Sequence, residues 1–531
     1  MGMTMNNPQK RPVRFFNTTG PCNPWDHYML PPADRLVGAQ LHRYIRDKLY
    51  WVLHAPRQTG KTTFLKSWAI EINSDAEAAA CYVSVERCQG VSEPERSIPV
   101  ICEAVADWSA SYELPQPPLG NEHPQSQLKA ILRRWSELVA PKPLIVLFDE
   151  VDVLEGNALI SFLRQLRDGF ADRGTGKFPI SIALVGMRDL KDFLTMAKGG
   201  FAPNPGSPFN IKSDSAVLSN FSQTDTENLF AQRTEETGQA INKDALGYVY
   251  EQSMGQPWIV NSLFARATMR VLDEASTETV TLAHIKEARL QMTLARETHL
   301  DALAYRLRDA RIKKIIEPII IGDANPDLGR ENSDVQYAMD MGLIKWNSHE
   351  GLTIANPIYT EIITRNLNSG YHDIMPPPLS WMWRKEDGSL DMDTLLKEFQ
   401  KFWRKHSEIW EQKADYTEAF PHLLLMAFLQ RVLNRGGRID REYAAGRGRM
   451  DLAVEYNMLT YIIEIKLIYS HDSSSEILDE GLEQTAMYRD KIDKAAPAYL
   501  IIFDRRPKAK EKPWEQRLGW EVMGNITVVR C

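Results

Sequence analysis

Along the first 215 residues, short apolar runs alternate with segments whose apolar residues recur at helical spacing. Tyr50–Leu53 is such a run, and Lys61–Ile72 after it places Phe64, Leu65, Trp68 and Ile72 on one face. Cys81–Glu86, Pro143–Asp152 and Pro179–Val185 read as further buried strands, with helices over Ile98–Trp108 and Gln125–Leu138. This alternation predicts a parallel sheet flanked by helices, and Asp34–Asp47 reads as a helix leading into it. After residue 215 the pattern turns helical, over Thr224–Thr237 and Lys243–Gln252. In the next turn Gly255 ends one helix and Pro257 opens another. Val335–Met341 and Ile358–Asn366 read as helices around a hairpin, Ile344–Trp346 and Leu352–Ala355, with N-S-H-E-G between its strands. Gly370–Pro378 ends in three successive prolines and reads as a stiff spacer. Beyond it come helices Asp393–Glu411 and Thr417–Asn434, then strands Arg449–Glu455, Leu459–Leu467 and Tyr499–Asp504.

A chain of 531 residues is long enough for about three to four domains. The expected division is 1–215, 216–296, 297–369, a linker over 370–392, and 393–531. The net charge of −7 excludes whole-molecule attraction to nucleic acid, so any such contact needs a local basic patch. Arg431, Arg435, Arg438, Arg441, Arg447 and Arg449 supply one, whereas Arg306, Arg308, Arg311, Lys313 and Lys314 read first as a solvated face. The five cysteines show no metal-ligand spacing and read as reduced thiols of a cytoplasmic protein. No apolar run approaches membrane-spanning length, and the N-terminus lacks the apolar core of a signal peptide.

Two constellations carry chemistry. Ala55–Thr62 fits the phosphate-loop pattern G-x-x-x-x-G-K-[ST], with Ala55 where the first Gly usually stands. Gly60 lets the backbone close on a phosphate, Lys61 reaches the β- and γ-phosphates, and Thr62 offers a hydroxyl to Mg²⁺. The strand over Pro143–Asp152 ends in Asp149 and Glu150. The first is placed to hold Mg²⁺ and the second to orient or activate water. Arg188, at the end of the next strand, either senses the γ-phosphate, in cis or across a subunit boundary, or pairs with Asp189. Trp25, His27 and Tyr28 either cup the adenine or pack on the core.

In the C-terminal part, a two-residue loop at Asn457–Met458 places Asp451 directly opposite Glu464, with Lys466 on the same face. Leu452, Val454, Tyr461 and Ile463 then form the core side. Opposed carboxylates repel unless a cation lies between them, and hard oxygen ligands suit Mg²⁺ or Mn²⁺. Lys466 can steady the attacking water or developing negative charge. The bland reading is an exposed sheet face with a Glu/Lys pair. Gln484 and Tyr488 share a helix face and could flank the site.

The phosphate loop, Asp149–Glu150 and the G-Q-P turn at 255–257 resemble AAA-type, STAND-like prokaryotic ATPases over roughly 15–367. G-R-x-D, E-I-K and Q-x-x-x-Y resemble the PD-(D/E)XK nuclease superfamily over roughly 390–531. The resemblance implies a multidomain α/β fold. Its parts are a P-loop NTPase parallel sheet with a helical lid, a winged helix that either binds DNA or only packs, and a mixed α/β restriction-endonuclease-like domain. It implies a nucleotide-binding set of Ala55, Arg57, Gln58, Thr59, Gly60, Lys61, Thr62, Thr63, Asp149 and Arg188, with ATP and Mg²⁺. For the nuclease it implies metal ligands Asp451 and Glu464, catalytic Lys466, and accessory Glu418, Gln484 and Tyr488, with Glu442 second to Glu418. The fusion resembles bacterial ATPase–nuclease proteins, which implies a nucleic-acid substrate, DNA before RNA, a homo-oligomer, a partner protein and a role against phage or mobile elements. The rival class is a nucleotide-switched binding protein whose nuclease fold does not cleave. A DNA-translocating motor ranks last, because no helicase motif set is present.

Overall fold

The computed structural model describes residues 14–37, 40–187, 212–273, 277–294, 303, 305–321, 329, 331–347, 351–372, 383, 385, 387–411, 421, 424–426, 428–429, 437–440, 452–457, 459–468, 472–504, 506 and 512–531. They fall into two compact units, 1–295 with 339–342, and 296–338 with 343–531.

The first unit is built on strands β1 (Leu36–Val37), β2 (Tyr50–His54), β3 (Ala79–Ser84), β4 (Leu144–Asp149), β5 (Ser181–Gly186) and β6 (Lys212–Leu218). Their order is β1-β6-β2-β5-β4-β3, parallel throughout except for β1 on β6. Strand β5 thus lies between the phosphate-loop strand and the strand ending in Asp149. Alternate residues of β2 feed two cores. Tyr50 and Val52 face helices α3 (Pro94–Ser111), α4 (Pro124–Val139) and α5 (Gly156–Gly169), among Ile101, Trp135 and Phe162. Trp51 and Leu53 face α1 (Leu41–Arg46) and α2 (Lys61–Asp75), among Tyr44, Phe64 and Trp68. The expected helix over 34–47 is therefore split. Leu36 and Val37 pair with Leu218 and Val217 at the sheet edge, and only 41–46 is α-helical. Strand β6 falls where a helical stretch was expected to begin, because K-S-D-S-A-V-L carries too few apolar residues to read as buried.

Helices α6 (Gln223–Thr237), α7 (Lys243–Ser253), α8 (Pro257–Arg266) and α9 (Leu282–Leu294) complete this unit. Phe16 packs against Phe230 and Phe264 at 5.7 and 5.1 Å between ring centroids. The turn before α8 requires glycine. Gly255 has φ +71°, and a Cβ there would lie 1.8 Å from the Phe221 carbonyl oxygen. Gly255→Ala is expected to lower unfolding free energy by at least about 2 kcal/mol. A denaturant midpoint equal to wild type would refute that.

In the second unit, α10 (Ala310–Ile321) and α11 (Ser333–Asp340) precede an antiparallel hairpin, β7 (Ile344–Asn347) and β8 (Gly351–Ile354). Helix α12 (Pro357–His372) follows and runs past Gly370, where the spacer was expected to begin. After α13 (Met392–Glu411) comes a second sheet of β9 (Gly437–Asp440), β10 (Leu452–Tyr456), β11 (Leu459–Ile468), β12 (Ala498–Asp504), β13 (Gly519–Met523) and β14 (Ile526–Arg530). Its order is β13-β14-β12-β11-β10-β9. Strands β11, β12 and β14 are parallel, and the outer pairings are antiparallel. Helix α14 (Ser474–Ile492) crosses one face, and a one-turn helix, α15 (Trp514–Arg517), precedes β13. Among the described residues no helix is long and apolar enough to cross a membrane.

Candidate nucleotide and nuclease sites

The loop between β2 and α2 starts with the Ala55 N–H donating to the Gly186 carbonyl, 3.3 Å away at the end of β5. Gln58 and Gly60 take left-handed backbone, φ +59° and +96°. Thr59 Oγ1 donates to the Pro56 carbonyl (2.8 Å), closing the turn from inside. Gly60 caps α2, whose N-terminal N–H groups face an approaching anion. Lys61 Nζ donates to the carbonyls of Ala55 (2.7 Å) and Pro56 (2.9 Å). Thr62 Oγ1 donates to Asp149 Oδ2 (2.7 Å), a hydroxyl and a carboxylate already paired as a hard-oxygen donor set for Mg²⁺. Thr63 is buried and accepts the Cys22 N–H (3.0 Å), while Arg57 and Gln58 are exposed.

Burial pushes the Asp149 carboxyl upward, against the Thr62 hydroxyl and the Lys61 charge, which stabilise its ionised form. Burial also raises Glu150, helped by Asp149, Glu86 and Asp152. The same effect lowers the Lys61 ammonium, offset in part by Asp149, Asp152 and Glu150. A cavity of about 480 Å³, the size of a small-molecule site, opens on Lys61, Thr62, Glu86, Asp149 and Glu150. The N-terminal arm lines it with Asn17, Thr18, Gly20 and Cys22, and helix α8 with Pro257, Trp258 and Asn261. Trp258 Nε1 donates to the Thr18 carbonyl (2.9 Å), joining arm to helix. The arm's aromatics divide. Phe16 and Tyr28 are buried, whereas Trp25 is 70% exposed. Of the three rings singled out in the sequence, His27 and Tyr28 pack as the core reading expects, and Tyr28 also lines the cavity. Arg188 lies outside the described residues.

Sequence reading missed three residues here. Tyr82 on β3 brings its hydroxyl to Asp149 Oδ2 (3.3 Å). Asp152 Oδ2 accepts the Met187 N–H (3.3 Å) at the end of β5. Arg35 donates to the phosphate loop itself, at the Thr59 carbonyl (2.9 Å). Only Asp152 stood beside a recognised motif.

In the second sheet Leu452 pairs with Ile463, Val454 with Tyr461 and Tyr456 with Leu459, the register of a two-residue loop. Asp451, Glu418 and Glu442 lie outside the described residues, as does every arginine of the 431–449 patch except the backbone of Arg438. The face bearing Glu464 differs from the bland reading of an exposed sheet face, and from the expectation that only the Leu452 side is core. It is a second core, not an exposed polar face: Ala453, Ile462, Leu500, Ile502 and Tyr488 pack there under α14. Glu464 is consequently only 3% exposed. Lys466 Nζ lies 3.8 Å from Glu464 Oε1 and 2.9 Å from Glu480 Oε1. Gln484 Nε2 donates to the same Glu480 oxygen (3.1 Å). Gln484 therefore reaches Lys466 through Glu480, while Tyr488 is buried one turn on. Glu480 was not anticipated, although it shares the four-residue spacing with Gln484. Gly481 lets the helix approach, since a Cβ there would lie 2.7 Å from Leu500 and 3.3 Å from Lys466. Among the described residues no three His, Cys, Asp or Glu side chains are gathered to hold a metal. A buried carboxylate such as Glu464 is nevertheless a fitting hard ligand.

The strand order, phosphate loop and paired Thr62 and Asp149 define the first unit as a P-loop ATPase fold. The mixed sheet with Glu464 and Lys466 on its inner strand defines the second site. Residues 416–502 match the model of the PD-(D/E)XK nuclease superfamily, a span containing Asp451, Glu464, Lys466, Gln484 and Tyr488. The chain thus joins a P-loop ATPase fold to a domain that matches the PD-(D/E)XK nuclease superfamily. No curated protein matches its sequence. Among solved structures it is similar to the Walker-type ATPase PABY2304 of Pyrococcus abyssi, at 12% identity over 66% of this chain and 99% of that one, TM-score 0.46. It is also similar to the RuvB Holliday junction branch migration motor of Thermotoga maritima, at 13% identity over 61% and 91%, TM-score 0.33. A third is Cdc6p from Pyrobaculum aerophilum, at 12% identity over 62% and 91%, TM-score 0.34.

Proposed function

We propose that this protein is an ATP-regulated, Mg²⁺-dependent nuclease that cleaves DNA. The observation that carries the reading is Glu464, a carboxylate sunk in an apolar sheet 3.8 Å from Lys466 within the nuclease-superfamily span. A charge is rarely buried there without a chemical use.

At the front site, ATP takes the cavity over Gly60. Lys61 leaves the Ala55 and Pro56 carbonyls for phosphate oxygens, and Glu150 orients the attacking water. Thr62 and Asp149 hold Mg²⁺, and Arg188 meets the γ-phosphate, in cis or from a second copy of the chain. At the rear site, Asp451 and Glu464 hold Mg²⁺, Lys466 steadies the attacking water, and Glu418, Gln484 and Tyr488 support them. Mg²⁺ bound at either place supplies a Lewis acid for phosphate oxygens. DNA contact is assigned to the arginines of 431–449. Helix α11, ahead of the hairpin, suits DNA poorly: it carries Asp334 and Asp340 and no basic residue. That favours packing over reading for the winged helix of 297–369. The core 1–215, lid 216–296, linker 370–392 and nuclease 393–531 complete the proposed division. We place the protein in the cytoplasm as a homo-oligomer that answers to a partner protein in defence against phage or mobile elements.

Plasmid and linear DNA incubated with Mg²⁺, with and without ATP, test the reading. Cleavage by the wild type and none by Asp451→Ala is expected. DNA retained in a shift assay yet intact under every metal and nucleotide condition would replace it with the non-cleaving binding protein. The ATPase site adds a pH prediction. Glu150 must be ionised to orient water, and Glu86 is one of the acids raising its pKa. Glu86→Gln removes a negative neighbour, eases that ionisation, and should move the acid limb of ATP hydrolysis to lower pH. An unmoved limb would show that Glu150 is not the group titrating.

A further inference from the structure

Arg35 is buried, at 7% exposure, although its guanidinium borders the nucleotide cavity. Nη2 donates to the Thr59 carbonyl in the phosphate loop and Nη1 to the Ser219 carbonyl past β6, both at 2.9 Å. Nε is sealed from solvent and meets no acceptor. The charge itself is also unbalanced. The carboxylate it feels most is Asp225, which caps α6 by accepting the Ser222 N–H and hydroxyl at 2.8 Å. No ion pair to Arg35 forms among the described residues. Burial pushes its pKa down to about 10. A guanidinium held in low dielectric without a counter-ion is costly, and an anion arriving beside it removes that cost. The neighbouring cavity is built for such an anion. A Cβ on Gly60 would lie 2.9 Å from Arg35 Nη2, so glycine is needed there for this contact as well as for the loop.

We propose that Arg35 is a phosphate-binding residue of the nucleotide site, its charge balanced by the polyphosphate of the bound nucleotide. The proposal rests on the ATP reading above and deepens it. Arg35 also ties that event to the lid. Its guanidinium lies 4.8 Å from the centre of the Phe221 ring, and the Phe221 N–H donates to the Gly255 carbonyl (2.8 Å) in the turn that opens α8. One side chain thus touches the phosphate loop, the end of β6 and the lid hinge.

The test measures binding of a non-hydrolysable ATP analogue to full-length wild type, Lys61→Ala, Arg35→Lys and Arg35→Gln, with thermal melting of each. Lysine keeps the charge and loses the planar fork, whereas glutamine keeps a donor and loses the charge. Arg35→Gln is expected to bind about 10- to 100-fold more weakly than wild type, and Arg35→Lys within about threefold. Arg35→Gln binding as tightly as wild type would overturn the proposal. So would an Arg35→Lys as weak as Arg35→Gln, or loss of cooperative melting in both, since each marks Arg35 as a brace for the two carbonyls. Failure of the ATP reading looks different: wild type and Lys61→Ala would then bind the analogue equally poorly.

Discussion

Lys466→Ala is expected to cleave DNA at least about a hundredfold more slowly than wild type in Mg²⁺. The Lys466 side chain is 17% exposed, held between the buried Glu464 and the more exposed Glu480. On the proposed reading, a phosphodiester approaching Glu464 would meet the Lys466 ammonium. Lys466→Arg should not restore activity. The guanidinium is longer and planar, and Gly481 already brings the α14 backbone close over the Lys466 stem. Glu464→Gln should fail as completely, because the amide fills the same space without the charge a metal needs. Initial rates on linearised plasmid, with folding checked by thermal melting, decide the matter. Either Lys466 variant cleaving within a few-fold of wild type would remove this residue from the chemistry.

The second large effect is at the other end of the chain. Lys61→Ala is expected to lower ATP hydrolysis at least about a hundredfold while leaving the protein folded. Nζ now satisfies two loop carbonyls, those of Ala55 and Pro56, and removing it costs the loop those two hydrogen bonds. Alanine at the first position of α2 suits the helix. Burial already disfavours the Lys61 charge, which offsets the loss of those bonds, so stability should change little. Phosphate release and a melting curve check both halves. Hydrolysis near the wild-type rate would mean that the phosphate loop is not where ATP reacts.

What the sequence showed, and what it hid, follows from how local each signal is. The phosphate loop and the acids closing β4 are contiguous, so this candidate site was legible before any fold was known. The β10–β11 register was legible too, because a two-residue loop leaves one pairing and the observed pairs follow it. The buried environment of Glu464 was not. It arises because α14, the helix that follows β11, folds back over the face that carries Glu464, and Ala453, Ile462 and Leu500 close around it from three strands. Arg35 and Tyr82 were invisible for the same reason. Each is an ordinary residue in its own segment, and only the sheet order brings it to Thr59 or Asp149. Strands β6 and β9 were missed because K-S-D-S-A-V-L and G-R-I-D lack the apolar density of an interior strand.

On the proposed reading, nucleotide at the front site governs cutting at the rear one. The most direct measurement is the rate of DNA cleavage by wild type and Lys61→Ala across a range of ATP concentrations at fixed Mg²⁺. The account predicts a wild-type rate that changes with ATP and saturates, and a Lys61→Ala rate that ATP does not move. Equal cleavage by the two proteins at every ATP concentration would contradict it.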